Sequence, residues 1–167
     1  MSALMILAVL LLCGCSNEKN AVVLPVKSTI VYDDTFRITC LSQQYEYNAD
    51  EMQKDAPLHF ELQLEYIGWD ASVTVWHSIP IGGFQLLDQN HKFLYYPQSF
   101  LDSLCETELE KGEVYTVCTW TGTDEYEFLG GFSCGDYIAE ALVEFSYLEN
   151  GTEEDVCCSL ELPFKIV

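Results

Sequence analysis

From Leu58 to Tyr66, apolar and polar residues alternate without interruption: Leu58, Phe60, Leu62, Leu64 and Tyr66 on one side, His59, Glu61, Gln63 and Glu65 on the other. Successive side chains of a strand point to opposite faces, so this period of two predicts a strand with one buried and one wet face. A helix would scatter the same residues around its axis. Pro57 and Gly68 bracket the run as strand punctuation. Strands wet on one face belong to antiparallel sheets, which build sandwiches or barrels. Segment 58–66 is therefore expected to be the central core strand.

The same reading extends along the chain. A first strand falls within Thr29–Thr39, with Asp33-Asp34 as a break or bulge, and the polar stretch 42–57 reads as a loop. Ser72–Ser78 is a strand with Val73 and Val75 on one face and Trp76 on the other. Pro80 and Gly82-Gly83 end it. Phe84–Leu87 is a short strand, Asp88-Gln89-Asn90-His91 a turn, Lys92–Tyr96 a return, and 97–104 irregular. Cys105–Leu109 and Val114–Trp120 read as a hairpin around Lys111-Gly112. Gly122 to Gly131 reads as a glycine-flanked acidic loop.

Tyr137, Ala139, Ala141, Val143 and Phe145 alternate against Glu140, Glu144 and Ser146; the Ala and Glu content leaves a helix as the rival. Glu149-Asn150-Gly151-Thr152 is a hairpin turn. The last strand places Val156, Cys158, Leu160, Leu162, Phe164 and Ile166 on one face. Pro163 falls on the other face and cannot donate to a ladder, so this strand is an edge or ends a pairing. Seven to nine short strands predict an all-β, immunoglobulin-like antiparallel sandwich. Gly135-Asp136-Tyr137 at the head of a strand resembles the tyrosine corner of such folds. The inter-sheet disulfide of antibody domains is absent, since neither 58–66 nor 137–146 contains Cys.

Charge narrows the partners. The 167 residues carry 27 acidic and 7 basic side chains, a formal net charge of −20. Phosphate binding needs clustered Lys and Arg, so nucleic acid is excluded as a partner. The acidity reads first as solubility.

The N-terminus carries a targeting signal. Ala3 to Leu12 is an unbroken apolar run of signal-peptide length, too short to span a bilayer. It ends in Leu12-Cys13-Gly14-Cys15, which resembles the bacterial lipobox, with Cys15 as the lipidated mature N-terminus. Met1-Ser2 lacks the usual basic residues, so either the true start lies upstream or export is weak. The division that follows is a lipoprotein signal peptide over 1–14, a tether over 15–28 and one sandwich domain over 29–167. The implied location is the bacterial cell envelope, outside the cytoplasm and held to the membrane by the lipid. Six further cysteines, Cys40, Cys105, Cys118, Cys134, Cys157 and Cys158, can oxidise there, and six allow fifteen pairings.

One pairing follows from register. If Lys111-Gly112 is a two-residue loop, Cys105 lies opposite Cys118 as a non-hydrogen-bonded pair. Cα atoms in such a pair are about 4.5 Å apart, near the lower end of the disulfide range of roughly 4.4–6.8 Å. A three-residue loop with a bulge at Gly112 would set Cys105 against Val117 instead.

Catalytic and metal patterns do not assemble. Gly131-Phe132-Ser133-Cys134-Gly135 matches the nucleophile elbow G-x-S-x-G, which needs a strand before it, a helix after it and a later acid and His. The last histidine is His91. His59, His77 and His91 are scattered, and adjacent Cys157-Cys158 put their thiols on opposite faces of a strand. Asp124, Glu125 and Glu127, or Glu149, Glu153, Glu154 and Asp155, could offer calcium oxygens, yet neither group has the EF-hand pattern. No cofactor or metal is implied, and an enzyme is the least supported class.

Five motifs follow in order: Phe60-x-Leu62-x-Leu64 with Gly68, Phe84-x-Leu86-x-Asp88, Leu109-x-x-Gly112-Glu113, Trp120, and Gly135-x-Tyr137 before an alternating strand. This order resembles one family, the BsuPI-type intracellular proteinase inhibitors and their extracytoplasmic lipoprotein relatives. The resemblance spans roughly 58–146 and rests mostly on core and turn residues. It implies a non-enzymatic module that binds another protein, with a protease as the implied partner. The different-class alternative is a structural or assembly component of the envelope without a discrete ligand. The candidate binding loops are 88–102, with Tyr95, Tyr96 and Phe100, and 121–132, with Asp124, Tyr126 and Phe128. Sandwiches cluster their loops at two ends, where aromatic rings carry much of an interface's energy. The competing reading is that these rings complete the core.

Overall fold

The computed structural model describes residues 26–49, 58–95 and 101–167, without the side chains of 101–103. Among these described residues, eleven strands and one short helix follow in order: β1 (Val26–Tyr32), β2 (Phe36–Ser42), β3 (Glu46–Tyr47), β4 (Phe60–Tyr66), β5 (Ser72–Ile79), β6 (Gly82–Asp88), β7 (Phe93–Tyr95), β8 (Leu101–Glu110), β9 (Val114–Trp120), α1 (Thr123–Leu129), β10 (Gly135–Glu149) and β11 (Thr152–Ile166). They form two sheets packed face to face. One has the order β1-β2-β4-β9. The other runs β3-β11-β10-β5-β8, with β6 and β7 continuing from β10. This is the all-β, immunoglobulin-like sandwich that the alternation predicts.

β4 lies inside the first sheet, between β2 and β9. Leu58, Phe60, Leu62, Leu64 and Tyr66 are buried, while His59, Glu61, Gln63 and Glu65 are only partly covered. Across the interior, Phe36 meets Phe145 with ring centroids 4.9 Å apart, and Phe60 meets Phe164 at 5.1 Å. Burying one such side chain contributes roughly 1.5–3 kcal/mol. β10 is a strand, not the rival helix, and Ala139 and Ala141 are fully buried. Further along β10, Gly82 of β6 pairs with Val143, and a Cβ on Gly82 would stand 2.4 Å from the Leu142 carbonyl oxygen.

Registers place the two ends of the sandwich. Val26 pairs with Ser42, Ser42 with Phe60, and Phe60 with Trp120, so the start of β1, the start of β4 and the end of β9 share one end. Gly135 and Ile166 pair at that end of the second sheet, where Tyr47 packs on both Phe60 and Phe164. The opposite end holds tight turns at Asp33-Asp34, Lys111-Gly112 and Asn150-Gly151, each residue with positive φ except Lys111.

Several expectations change. Val26 to Ser28, assigned to the tether, open β1. The Asp33-Asp34 break is a hairpin turn, because both residues take left-handed conformations and Thr35 N–H donates to Tyr32 O at 2.9 Å. Loop 42–57 contains β3, and residues 101–104, expected to be irregular, begin β8. Pro163 lies in a strand that pairs β10 throughout but meets β3 only at Lys165 and Ile166.

The expected hairpin of 105–109 with 114–120 does not form. Its turn exists, since Glu113 N–H donates to Glu110 O at 3.1 Å. However, Lys111 N–H donates to Ala71 O and Gly112 N–H to Tyr66 O, each within 2.9 Å, anchoring the turn to the β4–β5 connection. From there β8 pairs β5 in one sheet and β9 pairs β4 in the other. Cys105 lies opposite His77 and Cys118 opposite Leu62, both as free thiols, so the register argument for a Cys105–Cys118 bridge fails.

Candidate functional site: an aromatic and acidic end

The segment Gly122 to Gly131, expected to be a loop, is built around α1. Gly122 and Gly130 bracket it with φ of 67° and 71°, left-handed values that glycine adopts without steric cost. N–H groups of Gly130 and Gly131 close the last turn on Glu127 O and Tyr126 O. Asp124 and Glu125 occupy the first turn, where carboxylates suit the helix dipole.

The helix turns one acid inward. Glu125 is 2% exposed, and Trp120 Nε1 donates to its Oε1 at 2.7 Å. Burial raises the Glu125 carboxyl above its ordinary range and neighbouring Asp124 adds to this, while the Trp120 hydrogen bond opposes it. Trp120 is itself fixed by stacking on Phe84, with centroids 5.6 Å apart and planes at 19°. The reading of Asp124, Glu125 and Glu127 as one oxygen cluster therefore fails: Glu125 serves Trp120, while Asp124 is exposed. Among the described residues, no three His, Cys, Asp or Glu gather as a metal site.

A chain of rings leads from this helix to the core. Tyr126 meets Phe132 at 5.8 Å, Phe132 meets Tyr137 at 6.0 Å, and Tyr137 stacks on Phe164 at 5.5 Å. Tyr137 Oη donates to Ser133 O at 2.8 Å, four residues upstream, which is the bond expected of a tyrosine corner. Ser133 thus lies in a corner leading into β10, not between the strand and helix that a nucleophile elbow needs.

The two candidate loops meet. Tyr95, at the end of β7, contacts Phe128 of α1 edge to face, with centroids 5.4 Å apart. Phe128 remains 71% exposed, Leu129 beside it 38%, and Phe93, two residues before Tyr95, 61%. The Tyr95 hydroxyl is held above its ordinary range by burial first and then by Glu125 and Asp124. Tyr126 is half-buried, with its ring against Phe132. Tyr96, Phe100 and Cys15 lie outside the described residues.

Sequence reasoning missed Glu125 as the pivot of this end. The signal was faint: a seven-residue helix spans about two turns, too few for a helical period to stand out. No protein-family model matches this chain, and a search of curated proteins returned no match.

Proposed function

We propose that this chain is a lipid-anchored, extracytoplasmic module that binds another protein through the end formed by Phe93, Tyr95, Phe128 and Leu129. The contact between Tyr95 and Phe128 carries the reading. Two segments distant in sequence combine their rings there, with Tyr95 partly buried and Phe128 left open to solvent. Aromatic side chains are enriched where interfaces hold their energy, and a rim of opposite charge sets orientation and encounter rate. Exposed Asp124 supplies an acidic rim, which calls for a partner with basic residues around an apolar centre.

β1 begins at this same end. With Cys15 lipidated, residues 16–25 would reach at most roughly 35 Å from the membrane when fully extended. The partner is accordingly one that works close to the membrane surface. The motif resemblance makes a protease the first partner to test, with inhibition as the activity.

The experiment compares the wild-type chain with Phe128→Ala and with a double variant, Phe128→Ala and Phe93→Ala. Cross-linking in the envelope should capture one protein at near-stoichiometric yield with wild type and lose it with the double variant at unchanged melting temperature. A subtilisin-like protease should be slowed by wild type alone. Equal capture by all three would place the binding surface elsewhere on the chain, and no capture with no inhibition would leave the envelope scaffold as the function.

A further inference from the structure

β8 is the outer strand of its sheet. Among the described residues it pairs only with β5, from Ser72 opposite Glu110 to Ile79 opposite Leu101. At ten residues it is long for an edge, and among the described residues no strand pairs with the backbone N–H and C=O groups of its outer side. Its faces are sharply sorted. Leu109 is buried and Cys105 and Thr107 are partly covered, while Leu104, Glu106, Glu108 and Glu110 are exposed.

Three carboxylates thus occupy alternate positions on one face, and β5 holds two of them. Trp76 Nε1 donates to Glu106 Oε1 at 3.0 Å, and Ser72 Oγ donates to Glu108 Oε1 at 2.8 Å. Each of these bonds uses one oxygen and leaves the second available to another donor. Beside the row lies a cavity of about 470 Å³, lined by Trp76, Leu104, Glu144 and Asp155 among others and by no Lys or Arg. Leu104 stands 79% exposed at its margin.

We propose that β8 accepts an added strand from an extended, basic segment of another polypeptide, with Lys or Arg at every second position. Strand addition supplies main-chain hydrogen bonds, and alternate side chains supply selectivity. Residues directly opposite across a ladder stand about 4.5–5.5 Å apart, where opposite charges attract and like charges repel. An incoming row of cations would meet Glu106 and Glu108 with their carboxylates already oriented, and Glu110 beside them. A second copy of β8 would instead set Glu against Glu, in a chain whose net charge is already −20. The ladder therefore guards this edge against self-pairing while leaving it open to a basic strand. An apolar residue beyond the last cation reaches the margin formed by Leu104 and Trp76. β8 contributes nothing to the contact between Tyr95 and Phe128, so this inference stands or falls separately from the proposed function.

The probe is a labelled seven-residue peptide alternating lysine and valine, titrated into the detergent-solubilised full chain. Controls are the same peptide with glutamate for lysine and one with alternate backbone nitrogens methylated. The lysine peptide should bind and slow hydrogen exchange along β8. The methylated peptide should not bind, and the glutamate peptide should bind at least about tenfold more weakly. Glu106→Lys with Glu108→Lys, both at exposed positions, should invert the preference between the two charged peptides. Equal binding of the methylated peptide would reduce the effect to diffuse attraction and overturn the proposal. So would binding without protection of β8, no binding at low salt, or a concentration-dependent dimer that protects β8 without peptide.

Discussion

Trp120 and Glu125 are tied by a 2.7 Å hydrogen bond that joins the end of β9 to the first turn of α1. The bond reconciles a carboxyl group with a site only 2% exposed. An indole N–H stabilises the ionised form but does not replace the lost hydration, so the carboxyl stays above its ordinary value.

A pH dependence follows. The folded chain holds the Glu125 proton more tightly than the unfolded chain. This contribution to stability is complete below the ordinary value of 4.5, is lost as pH rises through the raised folded value, and is constant above it. Glu125→Gln keeps an acceptor for Trp120 and removes the titration. In melts of both proteins from pH 4 to 8, the variant's melting temperature should gain on wild type as pH rises. A gap independent of pH would contradict the assignment.

Two glycines should respond differently to alanine. At Gly82 the new methyl would meet the Leu142 carbonyl oxygen at 2.4 Å and Leu62 Cδ2 at 3.0 Å, so β6, β10 or β4 must shift. Overpacking of this kind costs about 1–3 kcal/mol or more. Gly112 has open space around it but a φ of 79°, so Gly112→Ala should cost about 1–2 kcal/mol through backbone strain alone. Urea titration should show a lower midpoint for both, with the larger drop at Gly82.

Tyr137→Phe tests the corner. The ring keeps its stack on Phe164 and loses only the bond to Ser133 O. The expected cost is about 1 kcal/mol, read as a lower midpoint at unchanged slope. Tyr137→Ala should cost several times more, about 3–5 kcal/mol, because the ring chain then loses its middle.

Alkylation should sort the cysteines. Burial pushes the thiols of Cys40 and Cys118 up to about 12 and that of Cys158 to about 11, so few are ionised at neutral pH. Cys134 and Cys157 are exposed. Under reducing, native conditions, mass mapping should find label first on Cys134 and Cys157, and on Cys40 only after unfolding. Under oxidising conditions no peptide should link Cys105 to Cys118, because Cys105 lies opposite His77 and Cys118 opposite Leu62, both as free thiols.

The alternation from Leu58 to Tyr66 dictated β4 and its buried face, since a period of two admits one arrangement when only one face can be buried. Asn150-Gly151 dictated the β10–β11 hairpin in the same local way, through two residues that tolerate positive φ. Tyr137 declared its corner. The Lys111-Gly112 turn was equally visible, but its consequence was not. The alternation of each flanking strand is satisfied equally whether the two pair with each other or part into opposite sheets. Hydrogen bonds from Lys111 and Gly112 to Ala71 and Tyr66 decided between these, and those partners lie about forty residues back in the chain. Tyr95, Phe128 and Asp124 were legible as loop residues rich in rings and charge. Their union was not, because it depends on β6 and β7 carrying Tyr95 to α1. Glu125 and Asp124 are adjacent acids of equal polarity in sequence. Only the position of Trp120, set by its stack on Phe84, determined which of them is buried.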